Sequence, residues 1–185
     1  MPKTVLADMK SHMEKTLGVL KNEFQKIRTG RATTGMLDSV KVDYYGNPSS
    51  ISQVATLAIP EPRTITITPW EAKMIGPIEK AILNANIGLT PGNDGKAIRL
   101  NLPPLTEERR KEIVKELKKK AEDDKVALRN IRRDAMDKLK KLEKDKAITE
   151  DDLKKYEKEV QDVTKGFEAK IDEAVAHKEK EVMEV

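Results

Sequence analysis

The sequence predicts an α+β fold: an elongated three-helix bundle with a small β/α/β domain inserted into it. Three observations carry that prediction. Residues 3–28, 106–144 and 149–174 each place apolar residues at steps of three and four, the mark of a helix with one narrow apolar face. Residues 31–104 abandon that period for two-residue alternation, broken by glycine and proline. The composition, 37% charged and 3% aromatic, suits long surface helices better than one large globular core.

The first helix, 3–28, carries Leu6, Met9, Met13, Leu17, Leu20, Phe24 and Ile27 without a miss. Thr29-Gly30 provides a left-handed stop. Val40, Val42 and Tyr44 then alternate with Lys41 and Asp43 as a half-buried strand, and Gly46-Asn47-Pro48 reads as a turn. The stretch holding Ile51, Val54, Leu57 and Ile59 has no clear period. Residues 63–68 form a strand with Ile65 and Ile67 on one face, ended by Pro69. Residues 70–84 read as a helix, 88–95 as a loop and 97–102 as a further strand. Pro103-Pro104 delays any helix until Leu105.

The bundle is thus expected from residues 1–30 and 105–185, and the inserted domain from 31–104. Two short connections, 29–35 and 102–105, link them. Thr29, Gly30 and Gly35 make one pliable; Pro103 and Pro104 make the other stiff, so together they suggest a hinge.

The long helix opens at Thr106, an N-cap followed by Glu107 and Glu108. Its seam is Val114, Leu117, Ala121, Leu128, Ile131, Ala135, Leu139 and Leu142, with Asp124 as a gap. At about 100° per residue, Lys111, Lys115, Lys118, Lys125, Arg129, Arg132, Arg133, Lys140 and Lys144 fall in one arc beside that seam. Among the three arginines Arg132 is expected to lie closest to the seam, with a buried stem and an exposed head. The third helix starts with Thr149 and an acid at Asp152, and its seam runs Leu153, Tyr156, Val160, Val163, Phe167, Ile171, Ala174. The short 145–148 link makes it antiparallel to the long helix.

Net charge is only +4, but it is sorted. Residues 106–145 hold fifteen Lys/Arg against eleven acids, whereas 149–185 hold seven against twelve. Such a field orients a protein on a polyanion. There is no cysteine, which removes disulfides, thiolate zinc sites and a cysteine nucleophile, and fits a reducing cytoplasm. The first residues lack the apolar core of a signal peptide, and no run is long enough to span a membrane.

Catalytic and metal sites are not expected. His12 and His177 lie on charged helices, and Asp123-Asp124 reads as a solvated face. Residues 92–96, GNDGK, lack the flanking residues of a phosphate loop: Thr90 stands where glycine is required and Ala97 where Ser or Thr is required. For Arg129, Arg132 and Arg133 the plain alternative is a solvated face paired with Asp134 or Asp137. Against it stands the concentration of guanidinium, suited to phosphate, in RNIRRDA (129–135). Arg28 and Arg31 supply a second cationic group. Few aromatics lie nearby, so backbone and shape recognition of folded RNA fits better than base stacking. The competing classes are a helical-bundle adaptor and a general RNA-binding protein.

Five motifs, KIRTGRA (26–32), DYYG (43–46), LPPLTEERRKE (102–112), LRNIRRDA (128–135) and DKAITEDD (145–152), are each similar to those of bacterial ribosome recycling factors. The resemblance covers the whole chain. It implies an L-shaped, tRNA-like, monomeric two-domain protein without enzymatic activity, cofactor or metal, in the cytoplasm. It implies binding to rRNA of the large ribosomal subunit after termination, and splitting of the ribosome from messenger RNA with elongation factor G and GTP. Ribosome contact would then fall on Arg28, Gly30, Arg31, Arg129, Arg132 and Arg133.

Overall fold

The computed structural model describes residues 1–184. The predicted class is observed: three long helices form one compact unit, and a small sheet with one helix forms another. The first unit is Met1–Arg28 with Thr106–Glu184; the second is Thr29–Leu105.

The helical unit contains α1 (Pro2–Lys26), α3 (Glu107–Lys144) and α4 (Glu150–Met183). Leu6, Met9, Met13, Leu17, Leu20 and Phe24 are buried along α1. They meet Ile113, Leu117, Ala121, Leu128, Ala135 and Leu139 of α3 and Val160, Phe167, Ile171 and Val182 of α4. The seams differ from expectation in detail. Ile113 takes the buried place foreseen for Val114, while Ile131 and Leu142 are half-buried. On α4, Thr164 is buried instead of Val163, because its hydroxyl donates to the Val160 carbonyl at 2.7 Å.

Ion pairs fix the helix directions. Lys118 meets Glu179 at 3.3 Å and Lys125 meets Asp172, so α3 and α4 are antiparallel, as the short link requires. Glu23 of α1 meets Lys120 at 3.1 Å, whereas Leu6 and Lys10 line a shallow groove with Lys155 and Tyr156 of α4. Helix α1 therefore also runs against α3. It stops at Lys26 because Ile27 turns extended (ψ 123°); the expected glycine stop lies four residues further on, where Gly30 has φ +79°.

The small unit holds a hairpin of β1 (Lys41–Tyr44) and β2 (Asn47–Ser50). Its antiparallel sheet has the order β3 (Ala55–Glu61), β4 (Thr64–Pro69), β6 (Ile98–Asn101), β5 (Pro91–Asn93). Helix α2 (Ile75–Asn84) covers the core. Ile65 pairs with Leu100 and Ile67 with Ile98, which puts four apolar side chains on one face against Ile78 and Ile82. Four expectations need correction. The turn foreseen at Gly46-Asn47-Pro48 falls on Tyr45-Gly46, since Asn47 and Pro48 already pair with Tyr44 and Asp43 as the start of β2. The unassigned stretch is β3, whose alternation is spoiled by a bulge between Ala58 and Glu61. The loop at 88–95 contains β5, too short to show a period. The helix foreseen from Trp70 begins at Ile75, after a 3₁₀ turn at Ala72–Met74, with Pro77 in its first turn.

Candidate nucleic-acid interface

The 38 residues of α3 contain neither glycine nor proline, and Thr106 Oγ1 accepts the Arg109 N–H at 3.1 Å. Glu107 and Glu108 occupy the first turn, Lys141 and Lys144 the last, so the dipole is matched at both ends. The cationic arc is laid along this rod.

The arc is unequal along its length. Lys111 pairs with Glu107 at 3.0 Å, Lys118 with Glu179, Lys125 with Asp172, and Arg129 with Glu122 at 3.1 Å. Beyond that point Arg132, Arg133, Lys140 and Lys144 are exposed and form no ion pair among the described residues. Asp134 and Asp137, foreseen as possible partners, pair with none of the arginines. Neighbouring acids thus cancel much of the field in the first half, whereas the second half presents uncompensated charge. The half-sunk cation of the arc is Lys125, its side chain 22% exposed; Arg132 is exposed instead.

The structure does not bring all the foreseen residues together. Arg129, Arg132 and Arg133 share one stretch of α3. Arg28 is exposed at the end of the α1 segment, beyond Glu23, and so lies in the direction opposite to Arg129 from the Glu23–Lys120 pair. Arg31 is exposed in the small unit, where Thr29 and Gly30 are buried. The Ala32 N–H donates to the Pro62 carbonyl at 2.7 Å, and the Leu102 N–H to the Arg63 carbonyl at 2.8 Å. Thr29–Ala32 and Leu102 are thus fastened inside the small unit, and the chain passes between units after Arg28 and after Leu105. Gly35 lies in a 3₁₀ turn (Thr34–Leu37) within that unit, away from the crossing; Pro103 and Pro104 are exposed just before it.

Other sequence candidates have structural explanations. His12 Nδ1 lies 2.7 Å from the Asp8 carbonyl, and His177 lies 3.3 Å from Glu181; both are exposed. Among the described residues no group of His, Cys, Asp or Glu could hold a metal ion. None of the helices there is long and apolar enough to cross a membrane. In the GNDGK stretch, Asp94 Oδ1 accepts the N–H groups of Lys96 and Ala97, which occupies the donors a phosphate would need. Those bonds hold the Asp94 carboxyl below the usual carboxylate range.

Two features escaped the sequence reading. Asp124 is buried in the α3 seam, not on a solvated face; Lys120 is 3.8 Å away and Oδ2 has no partner. Burial pushes its carboxyl up, with the Lys120 charge working against that shift. In the small unit, Glu71 accepts the hydroxyls of Tyr44 at 2.8 Å and Tyr45 at 3.2 Å and pairs with Lys73 at 2.8 Å. The Lys73 and Tyr44 bonds draw the Glu71 carboxyl down; the Tyr44 phenol is pushed up. Only the adjacent tyrosines of DYYG hinted at this cluster.

A family model described as ribosome recycling factor matches residues 20–183. The chain is similar, end to end, to the ribosome-recycling factors of Pelobacter propionicus, at 80% identity, and Geobacter sulfurreducens, at 73%, with all of each chain covered. That of Oleidesulfovibrio alaskensis is 57% identical over 98% of this chain and 99% of its own. A solution structure of a ribosome recycling factor superposes with a TM-score of 0.76 at 36% identity, covering 100% of this chain and 98% of the other. A second structure, of the T. thermophilus ribosome recycling factor with E. coli elongation factor G bound to the E. coli post-termination complex, gives 0.64 at 44% identity, with 99% of each chain covered. A three-helix body joined to a small sheet unit is thereby the build of a translation factor. The chain belongs to the ribosome recycling factor family.

Proposed function

We propose that the protein binds the large ribosomal subunit after termination and, with elongation factor G and GTP, splits the ribosome from messenger RNA for reuse. The observation that carries the binding half is the unpaired stretch of α3, with Arg132, Arg133, Lys140 and Lys144 free of intramolecular ion pairs among the described residues. Guanidinium groups held on a straight helix suit the phosphates of folded ribosomal RNA, and their charge need not first be released from an internal partner. Arg129 contributes after leaving Glu122, and Arg28 and Arg31 extend the contact near the crossing. Family membership along the full chain supports the reaction itself.

The splitting half needs force carried from one unit to the other. The two crossings, after Arg28 and after Leu105, act as a hinge: Gly30 and the Pro103-Pro104 strap hold the small unit's ends while the bundle works as a lever. The protein supplies binding and mechanics, with no catalytic group, cofactor or metal of its own, and acts in the cytoplasm where ribosomes work. The test is a splitting assay on post-termination ribosomes. Subunits should separate only when the protein, elongation factor G and GTP are all present. Separation that ignores the protein, or none with all three, refutes the reading.

A further inference from the structure

We propose that Glu122 is a positioning residue of the α3 interface: in the free protein its carboxylate holds the Arg129 guanidinium as an internal rival to phosphate, so Arg129 joins the RNA contact only where RNA displaces that acid. This rests on the binding half of the function above and adds what regulates one of its arginines.

Glu122 and Arg129 are seven residues apart. Two turns of helix return almost to the same line, so both side chains stand on one stripe, about 10.5 Å apart along the axis. Arg129 Nη2 donates to Glu122 Oε1 at 3.1 Å, so the long side chain lies lengthwise on the helix. Helical side chains lean toward the N-terminus, which is the direction Arg129 takes. The ordinary partners of Glu122 would be cations three or four residues away. Of those positions, Lys118 and Lys125 are held by Glu179 and Asp172 of α4, and 126 is a valine. Lys119 forms no ion pair among the described residues. The cation that Glu122 holds is Arg129.

The pair marks a boundary in the arc. Toward the start of α3, Lys111, Lys118 and Lys125 are tied to acids; beyond Arg129, Arg132, Arg133, Lys140 and Lys144 are not. Arg129 is therefore the cation at the edge of the free stretch. Carboxylate and phosphate both take parallel N–H bonds from a guanidinium, so one replaces the other. Both side chains of the pair are more than half exposed, which makes it weak enough to yield to a well-placed phosphate. Arg132 and Arg133 need no such exchange.

The experiment measures the affinity of the full chain for isolated large subunits in a double-mutant cycle of wild type, Glu122→Gln, Arg129→Ala and both. At low salt E122Q should bind about threefold tighter than wild type, the effect of freeing one exposed pair. In the R129A background the same substitution should change affinity by less than about 1.5-fold. Unchanged or weaker binding by E122Q overturns the proposal. So does an equal gain with and without Arg129, which would be the plain removal of a negative charge from the interface. A second readout needs no ribosome. Heteronuclear relaxation at the arginine Nε groups of the free protein should show Arg129 more restrained than Arg133, and the difference should vanish in E122Q. Equal mobility of the two in the wild type overturns the proposal, as does a restraint that survives in E122Q. A wild type that does not bind large subunits overturns the functional reading itself; one that binds, beside additive effects of E122Q and R129A, removes only the role of Glu122.

Discussion

Leu105 closes over Gly30: a β-carbon at Gly30 would stand 3.2 Å from Leu105 Cγ, at a residue whose φ is +79°. The last residue of the small unit thus packs on nearly its first, and the two crossings of the chain are tied at one point. Gly30→Ala meets both the contact and the left-handed backbone, so it should destabilise the small unit by about 1–2 kcal/mol. Gly35→Ala, with ordinary φ and its nearest neighbour 3.6 Å away, should be close to neutral. Urea unfolding of the two variants compares them directly. Under the hinge reading, G30A should also slow splitting more than it weakens subunit binding.

The arginines of α3 should separate by their internal partners. Arg132→Ala and Arg133→Ala should each weaken binding to large subunits and reduce the salt slope of affinity by about 1. Arg129→Ala, already paired with Glu122, should cost less. All three are exposed, so melting should shift by no more than about 0.5 kcal/mol in equivalent stability. Co-sedimentation across a salt series measures the slope; equal slopes for wild type and R132A would count against the interface.

Asp124 should cost the bundle stability at neutral pH. Its folded-state pKa lies above the unfolded value, so protonation favours the native state. That contribution is complete below the unfolded pKa, about 3.9, and is lost as pH rises through the raised folded value. Asp124→Leu leaves Lys120 its partner Glu23 and extends the apolar seam, so it should stabilise the protein by about 1–2 kcal/mol at pH 7. The gain should shrink on acidification, as denaturant titrations at pH 7 and pH 4 would show.

Asp152 should behave in the opposite sense. With Thr149 it closes a capping box at the start of α4, and the Thr149 hydroxyl, then its backbone N–H, hold the carboxyl below its ordinary value. Its contribution is present above the unfolded pKa and vanishes as pH falls through the lowered folded value. Asp152→Asn should therefore destabilise at neutral pH and much less in acid. Thr149→Ala, which removes the cap, should cost about 1 kcal/mol. Melting followed by circular dichroism at several pH values tests both.

Long periods were legible in the sequence; short ones and exceptions were not. The seam of α1 could be read from Leu6 to Phe24 because its apolar residues repeat at steps of three and four over about five turns. Strand β5, three residues long and opened by Pro91-Gly92, is formed by pairing with β6, which no local pattern announces. The arginine stretch was visible from residue type and helical angle. Its lack of partners was not, because whether Asp134 or Asp137 reaches an arginine is a matter of rotamers. Asp124 was visible only as a gap in the seam; its burial depends on what α1 presses against it. The Tyr45–Glu71–Lys73 group joins residues 26 positions apart through the fold of the small unit.

Trp70 is the chain's single tryptophan and belongs to the small unit, whereas α1, α3 and α4 supply nearly all helical residues. Indole emission therefore reports one unit and ellipticity at 222 nm the other, with no label added. Superimposable denaturation curves from the two signals would mean that the units melt as one cooperative whole; offset curves would give each its own midpoint. Every substitution above can then be assigned to the unit it disturbs.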